Sequence, residues 1–205
     1  MTGALTAEQF AARLSVSRET VDRLRAYADL LVKWQRRINL VGPATLPDLW
    51  CRHMLDSAQL LPLLPSGVIV DLGSGAGFPG LVLAILGAGP VHLVDSDARK
   101  CAFLREAVRL TGAAASVHNQ RIEAIAAFPV TAVTARALAP LSRLLELAAP
   151  FLAPETQCLF LKGRGSEDEL TEAAKDWMMT VERIASQSDP SGFVLRLREV
   201  RRGRQ

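Results

Sequence analysis

A glycine-rich turn between an apolar strand and an apolar helix most constrains what this chain can fold into. Residues 68–80 read VIVDLGSGAGFPG, so glycines stand at positions 73, 75 and 77 after a β-branched run. The run Val68 to Val70 predicts a buried parallel strand. The glycines predict a turn in which backbone approaches a ligand with no Cβ in the way, and Pro79 suits the start of a helix. This order predicts a nucleotide-binding loop.

Two classes of nucleotide cofactor are compatible with the loop. Gly75, Gly77 and Gly80 match the G-x-G-x-x-G pattern of dinucleotide binding, whereas D-x-G-x-G-x-G from Asp71 to Gly77 is typical of S-adenosylmethionine (SAM) enzymes. Asp71 favours SAM, because an acid in the loop would repel a diphosphate but is compatible with the cationic amino group of SAM. The loop thus favours SAM over NAD without excluding NAD.

A second acid indicates that the cofactor contains a ribose. The run Val91 to Val94 predicts a second strand that ends in Asp95, whose carboxylate can accept both ribose hydroxyls. NAD and SAM sites share this feature, so Asp95 indicates an adenosine and does not choose between them. Asp97 is predicted instead to cap the following helix.

The rest of the chain predicts an α/β fold with a doubly wound, mostly parallel sheet of seven strands, the class I SAM-dependent methyltransferase (Rossmann-like) architecture. Strands and helices alternate, as right-handed βαβ crossovers require. The predicted strands span 68–72, 91–95, 114–118, 130–135 and 157–162, and the predicted helices span 78–87, 97–111, 140–151 and 166–178. Two further predicted strands, at 179–187 and 192–199, flank the turn signal SDPSG. This antiparallel end favours a methyltransferase sheet, because an NAD domain would normally add another crossover.

Residues 1–64 predict a helical extension before a SAM-binding domain at 65–205. Thr6 and Gln9 match a capping box, and Ser17 begins a longer amphipathic helix that extends to about Trp34. Pro47 begins a third predicted helix that continues to about Leu61.

Composition excludes several classes of protein. The 205 residues are 49% hydrophobic, enough for one full core plus an extension. No apolar run reaches the length of a membrane span, and the N-terminus lacks the layout of a signal peptide. The three cysteines and three histidines show no metal-ligand spacing. We therefore expect a cytoplasmic protein with reduced cysteines, no metal site and no membrane contact.

Basic residues cluster although the net charge is only +3. Arg36 and Arg37 stand together, and RLREVRRGRQ at residues 196–205 holds five arginines. Such clusters can contact phosphate but also suit an ordinary solvated face. Charge alone therefore leaves RNA binding open.

Seven short motifs follow one another along the chain. They are WQRRINLVG (34–42), RHMLDS (52–57), VIVDLGSGAGFPG (68–80), LVDSDARKCAFLRE (93–106), QRIEAI (120–125), TARALAPL (134–141) and FLKGRG (160–165). In this order they resemble the bacterial small-subunit ribosomal RNA guanine-N7 methyltransferase family, known as RsmG or GidB. The glycine loop alone would indicate only a SAM enzyme, whereas R-x-x-L-D-S before it and A-R-A-x-A-P-L after it are far more specific.

The resemblance implies SAM as the cofactor, with S-adenosylhomocysteine as the product. The cofactor contacts that it implies are Gly73, Gly75, Phe78, Asp95, Ile122, Glu123 and Arg136. Ile122 would pack on the adenine. Arg136 is a charge between two alanines at the end of an apolar strand, which is a costly place for it. It could serve the carboxylate of SAM or an RNA phosphate, and the sequence leaves both open.

The resemblance also implies a substrate, the guanine at position 527 in the 530 loop of 16S rRNA, met on the RNA or on the small ribosomal subunit by a monomeric enzyme. Lys162, at the end of the fifth strand, and the pair Arg36 and Arg37 are the candidate RNA contacts. Guanine N7 attacks with a free lone pair and loses no proton, so the reaction needs positioning and no general base. No catalytic residue is therefore assigned.

Three other functions remain open from the sequence. A SAM-dependent methyltransferase could act on another RNA or on a small molecule, with the helical extension as a lid. An NAD oxidoreductase would need a proton relay, yet the only tyrosine, Tyr27, lies in the extension. A non-catalytic RNA-binding module would not need Asp71, Asp95 and the glycine turn together.

Overall fold

The computed structural model describes residues 5–203, which contain one seven-stranded sheet in the order β3-β2-β1-β4-β5-β7-β6. The strands are β1 (Ile69–Leu72), β2 (Val91–Asp95), β3 (Ala115–Asn119), β4 (Ala132–Arg136), β5 (Gln157–Lys162), β6 (Trp177–Ala185) and β7 (Phe193–Arg202). The first five strands pair in parallel, and β7 runs antiparallel to both β5 and β6. The predicted fold class is confirmed, including the antiparallel end of the sheet.

The α-helices alternate with the strands after an N-terminal group. They are α1 (Ala7–Leu14), α2 (Arg18–Gln35), α3 (Asp56–Ala58), α4 (Gly80–Ile85), α5 (Ala98–Thr111), α6 (Leu141–Ala148) and α7 (Ser166–Ala173). The capping box of Thr6 and Gln9 and the cap of Ser17 form as predicted. Asp97 caps α5 by accepting the N–H groups of Arg99 and Lys100, also as predicted.

Two predicted elements were wrong in extent. The predicted helix 47–61 is broken into a 3-10 turn (Pro43–Asp48), a π-helical segment (Trp50–Leu55), α3 and a second 3-10 turn (Leu61–Leu63). Pro47 lies inside the first 3-10 turn and does not begin an α-helix. The predicted helix 166–178 ends at Ala173, and β6 already begins at Trp177, because Trp177 is buried in the sheet layer.

Alternate residues of β1 enter the cores on opposite faces of the sheet. Ile69 belongs to the core under α2, α4 and α5, while Val70 and Leu72 belong to the core under α6 and the β6–β7 end of the sheet. The aromatic ring of Tyr27 in α2 packs near Phe78 and Phe103 within the first core. The N-terminal helices thus share a core with the sheet, and the division between residues 64 and 65 stays a prediction.

The carboxyl ends of β1, β2, β4 and β5 meet at one edge of the sheet, where open α/β folds bind ligands. This edge gathers Gly73, Asp95, Arg136 and Lys162. Within residues 5–203, no helix is both long and apolar enough to cross a membrane. No cluster of three or more metal-binding side chains occurs in the same range.

Candidate active site

The glycine loop, residues 73–79, turns sharply because its glycines adopt positive φ angles. Gly73, Gly75 and Gly77 have φ of 65°, 56° and 97°. A Cβ on Gly73 would lie 2.6 Å from Cδ1 of Leu138, so a larger residue would force the Leu138 side chain to shift in addition to straining the backbone. Ser74 anchors the loop to β2: its N–H donates to the carbonyl of Val94 (2.9 Å), and its hydroxyl accepts the Val94 N–H (3.1 Å).

A cavity of about 410 Å³ opens beside this loop, and we call it the loop cavity. Its volume lies within the usual range for small-molecule sites. Four of the seven expected cofactor contacts line it, namely Gly73, Asp95, Ile122 and Glu123. The structure thus brings together residues from the ends of β1, β2 and β3.

Asp95 is held in a defined orientation at this cavity. Its Oδ2 accepts the N–H of Gly75 (2.9 Å), and its Oδ1 accepts the N–H of Asp97 (2.8 Å). Each carboxylate oxygen has further lone pairs, so the group can still accept hydroxyl donors from the cavity. Gly75 itself does not line the cavity and acts here through Asp95.

Several cationic side chains line the loop cavity. Glu123 pairs with Arg143 (2.6 Å) and with Arg121 (3.5 Å), and both arginines line the same cavity. Glu123 is therefore engaged by protein cations, while Ile122 beside it provides an apolar surface.

A second cavity, of about 600 Å³, lies further along the same edge, and we call it the arginine cavity. It is lined by Leu40, Val41, Gly42, Thr45, Arg52, His53, Asp56, Arg136, Ala137, Leu138, Ala139, Pro140, Leu161, Lys162, Gly163, Glu169, Ser186, Asp189, Gly192 and Phe193. The N-terminal extension, β4, β5 and the β6–β7 turn all contribute to it.

Arg136 lines the arginine cavity and not the loop cavity. Its Nη1 donates to the carbonyl of Arg52 (3.2 Å) and to Oδ2 of Asp56 (3.3 Å), and its Nη2 donates to Nδ1 of His53 (2.9 Å). Its Cζ lies 4.8 Å from the ring centroid of Phe78, a cation–π contact. The side chain is 18% exposed. The expected charge at the strand end is therefore paired by the RHMLDS segment.

His53 is held neutral beside this arginine. Burial, and then the charges of Arg136 and Arg52, lower the pKa of His53 to about 3. The hydroxyl of Thr45 donates to the carbonyl of Gly42 (2.7 Å), so it must accept from Nε2 of His53 (2.7 Å). The neutral ring thus carries its proton on Nε2, and Nδ1 is free to accept from Arg136.

Phe78 lines neither cavity, although the resemblance implies a cofactor contact there. The ring is buried, stacks on His53 (4.9 Å between centroids) and makes the cation–π contact with Arg136. Its place in the structure is a platform for the arginine cavity.

The three candidate RNA contacts are placed differently from one another. The Nζ of Lys162 donates to the carbonyl of Ala139 (2.8 Å) and to Glu169 (2.7 Å), and the side chain is only 9% exposed. Arg36 and Arg37 are exposed and line neither cavity. The chain then turns back, because Gln35 accepts the N–H groups of Leu40 and Val41, and residues 40–42 form part of the rim of the arginine cavity.

Two buried residues play parts that the sequence reasoning missed. Asp71 was expected to present its charge to a cofactor, but it is fully buried and lines neither cavity, because it faces α4 from the middle of the sheet. Burial raises the pKa of Asp71 to about 6, although the hydroxyl of Thr134 donates to Oδ1 (2.7 Å). Tyr27 is also buried, and its hydroxyl donates to the carbonyl of Ala76 in the glycine loop. The sequence placed Tyr27 within the helical extension but could not predict this partner.

Solved structures with a similar fold include SAM-binding proteins. A mutant of MtNAS in complex with S-adenosylmethionine has a TM-score of 0.59 at 12% identity and covers 95% of this chain and 84% of that one. A ribosomal protein L11 methylase from Lactobacillus delbrueckii subsp. bulgaricus has a TM-score of 0.56 at 16% identity, covering 72% of this chain and 79% of that one. At such low identity the likeness concerns the fold, which is that of SAM-dependent methyltransferases.

Sequence comparison extends over nearly the whole chain. The profile of the GidB family, described as rRNA small subunit methyltransferase G, matches residues 20–190. Ribosomal RNA small subunit methyltransferase G of Paramagnetospirillum magneticum is 64% identical, covering 96% of this chain and 97% of its own length. The protein of the same name from Rhodospirillum rubrum is 62% identical, covering 97% of this chain and all of its own length.

Proposed function

This chain belongs to the rRNA small subunit methyltransferase G family, and from that premise we propose that it transfers the methyl group of SAM to N7 of the guanine at position 527 of 16S rRNA. The observation that carries the proposal is the pair of neighbouring cavities at one sheet edge. They share Ala137, Leu138 and Ala139 in their linings. A methyl donor in one and a nucleobase in the other would be neighbours.

The loop cavity fits SAM by the chemistry of its lining. Its walls offer the Asp95 carboxylate for ribose hydroxyls, the Ile122 side chain for the adenine face, and the exposed backbone of Gly73. When bound, SAM would supply a methyl group on a sulfonium centre, which needs no phosphate-binding loop. Gly75 acts by holding Asp95 in place.

The arginine cavity fits a target guanine and the RNA around it. An arginine has five N–H hydrogens, and three of those on Arg136 are used by Arg52, Asp56 and His53. The remaining two can donate to guanine O6 or to a phosphate oxygen. N7 must remain without a donor, because its lone pair forms the new bond. Arg136 is thus proposed to hold RNA and not the carboxylate of SAM.

The lining also supports the proposed division of the chain. The loop cavity is built only from residues after Leu72, whereas the arginine cavity also includes seven residues of the helical extension that lie between positions 40 and 56. We propose that residues 65–205 bind the methyl donor and that residues 1–64 complete the site for RNA. A 16S rRNA substrate implies a cytoplasmic protein.

A labelling experiment tests the function. The protein is incubated with methyl-labelled SAM and, separately, with protein-free 16S rRNA and with small ribosomal subunits, and the modified base is located by chain cleavage specific for N7-methylguanine. We expect label at position 527, and none when that guanine is replaced by adenine in transcribed RNA. Label at another nucleotide would refute the position, label at another atom would refute the N7 assignment, and label on neither RNA would refute the rRNA substrate.

A second measurement tests the cofactor independently of RNA. SAM at about 100 times its dissociation constant should stabilise the protein by about 2.7 kcal/mol in thermal unfolding. NAD should not stabilise it. Stabilisation by NAD alone would overturn the cofactor assignment.

A further inference from the structure

The two cavities share a wall formed by Ala137, Leu138 and Ala139. Under the proposed function, the methyl donor occupies the loop cavity and the target guanine occupies the arginine cavity, so the methyl group and N7 must come together at the border that these three residues form. An in-line displacement needs the reacting atoms about 3–3.5 Å apart. The position of the wall therefore controls whether the two substrates can meet.

One residue of the wall, Ala137, has a backbone conformation that is unfavourable for a residue with a side chain. Ala137 has φ of 49°, in the left-handed region that residues with a side chain rarely occupy. Such a residue persists only where neighbouring groups hold it. On the N-terminal side, Arg136 is fixed by its hydrogen bonds to Arg52, Asp56 and His53.

Lys162 and Glu169 hold the C-terminal side of the wall. Oε2 of Glu169 accepts the N–H of Leu141 (2.7 Å) and Nζ of Lys162 (2.7 Å), and Nζ also donates to the carbonyl of Ala139 (2.8 Å). Helix α6 begins at Leu141, and its N-cap, Pro140, offers no side-chain cap. Glu169 therefore supplies from α7 the acceptor that the local sequence lacks.

We propose that Glu169 and Lys162 are positioning residues for methyl transfer, acting as one unit that holds the wall where the two substrates can meet. This inference rests on the proposed function, because it assigns the two cavities to the methyl donor and the RNA. The ammonium of Lys162 already contacts two protein oxygens and is almost fully covered. It therefore acts on the wall and not on an RNA phosphate.

The test compares Glu169→Ala and Lys162→Met with Glu167→Ala in the full-length protein. Glu167 is a matched control, because it lies on the same helix and pairs with an arginine, Arg183, but is 77% exposed. We expect kcat for rRNA methylation to fall about 10- to 100-fold in the two test variants, the scale of a small misplacement in an active site. We expect the SAM dissociation constant and the KM for rRNA to stay within about threefold. The control should match the wild type.

Two further measurements separate a shared role from two independent ones. The loss of kcat in the double variant Glu169→Ala/Lys162→Met should be no larger than the loss in the more impaired of the two single variants, because both residues act on one element. Hydrogen exchange of residues 137–141, measured without substrates, should be faster in both single variants than in the wild type. If wild-type protein failed to methylate 16S rRNA, the proposed function would fail while the exchange result still showed whether the pair holds the wall.

Several outcomes would overturn the inference. An unchanged kcat with a raised KM for rRNA and a flatter salt dependence would make Lys162 an RNA contact. An unchanged kcat with only a lower Tm would make Glu169 a helix cap without a part in positioning. If Glu169→Ala did not fold, Glu169→Gln, which keeps one acceptor oxygen, should show an intermediate loss of kcat, and wild-type kcat in that variant would equally overturn the inference.

Discussion

Arg136 illustrates how a charge is maintained at the end of an apolar strand. Its guanidinium satisfies a backbone carbonyl, a carboxylate and a neutral imidazole, and it lies over the face of Phe78. Three of these partners come from residues 52–56, which precede the sheet in sequence. A charge in such a place costs free energy unless it is paired, and here residues 52–56 supply the partners.

Arg136→Lys and Arg136→Ala should both lose most methyl transfer to rRNA. Lysine keeps the charge but lacks the planar fork, so it cannot satisfy three partners and still offer two donors. We expect kcat/KM for rRNA to fall about 100-fold or more, the scale seen when a preorganised donor is removed. SAM affinity, measured by calorimetry, should remain unchanged because Arg136 lies outside the loop cavity. Weakened SAM binding would show that Arg136 contacts the cofactor. Near-normal turnover in Arg136→Ala would show that Arg136 has no role in the reaction.

Asp71 should make the protein less stable as the pH rises from about 4 to about 6. Burial raises the pKa of Asp71 from its ordinary value of 3.8 to about 6. In this range the unfolded chain has released the proton that the folded chain still holds, so rising pH favours unfolding. Relative to Asp71→Asn, the wild type should lose about 2–3 kcal/mol across the window.

Urea unfolding at several pH values tests this prediction. The difference in unfolding free energy between wild type and Asp71→Asn should change below about pH 6 and be constant above it. A difference that stays constant over the whole range would show that the Asp71 carboxyl ionises as it does in the unfolded chain.

Two elements owe their position to partners distant in sequence. Helix α2 carries Tyr27 onto the glycine loop, where the hydroxyl donates to the carbonyl of Ala76. The segment that a simple pattern assigned to one helix contains a π-helical stretch at Trp50–Leu55. Such stretches are frequent at functional sites because they redirect side chains, and this one carries Arg52 and His53 towards Arg136.

Tyr27→Phe should lower both the free energy of unfolding and the affinity for SAM. The substitution leaves the Ala76 carbonyl without its donor in a buried place, which costs about 1–3 kcal/mol. Because the loop must adjust, we expect SAM binding to weaken by about 3- to 10-fold. Ser17→Ala is the control: it removes the N-cap of the same helix at a cost of about 1 kcal/mol. The control should leave SAM affinity unchanged, and equal effects of the two variants on SAM would contradict a specific role for Tyr27.

Across the whole molecule, the sheet separates the two basic clusters. Strand β7 runs antiparallel to β5, so Phe193 pairs with Lys162 at the cavity edge, while residues 198–202 lie beyond the other end of β5. Arg202 packs over Trp177 at that far end. Arg204, the last arginine of the C-terminal cluster, lies outside the described residues. By contrast, Arg36 and Arg37 are separated by only two residues from Leu40, where the lining of the arginine cavity begins.

The two clusters should therefore differ in their effect on RNA binding. Arg36→Gln/Arg37→Gln should weaken binding of a 530-loop RNA and reduce the slope of log affinity against log salt by up to about 0.7–0.9 for each phosphate that the protein no longer neutralises. Arg201→Gln/Arg202→Gln changes the same charge at the opposite edge and should leave the slope unchanged. Fluorescence anisotropy over a range of salt concentrations measures both. The reverse result would place the RNA on the far edge of the sheet.

Local sequence determined the sheet and its loop. The runs before Asp71 and Asp95 are continuous and apolar, as strands covered on both faces require, and glycines at 73, 75 and 77 satisfy the positive φ angles of the turn. The caps at Thr6, Ser17 and Asp97 were predictable too, since each cap uses an N–H two or three residues away. The resemblance to a family came from ordered motifs that need no three-dimensional information.

Tertiary structure decided which side chains meet. The sequence placed Asp71 and Arg136 at strand ends. Asp71 is buried only because α4 packs against it, and Arg136 is paired only because residues 52–56 lie beside it in the folded protein. Glu169 became a cap for α6 because α7 lies beside it, although 28 residues separate Glu169 from Leu141. Contacts of this kind depend on how helices dock on the sheet, and docking is set by the shape of the whole core, to which local propensity contributes little.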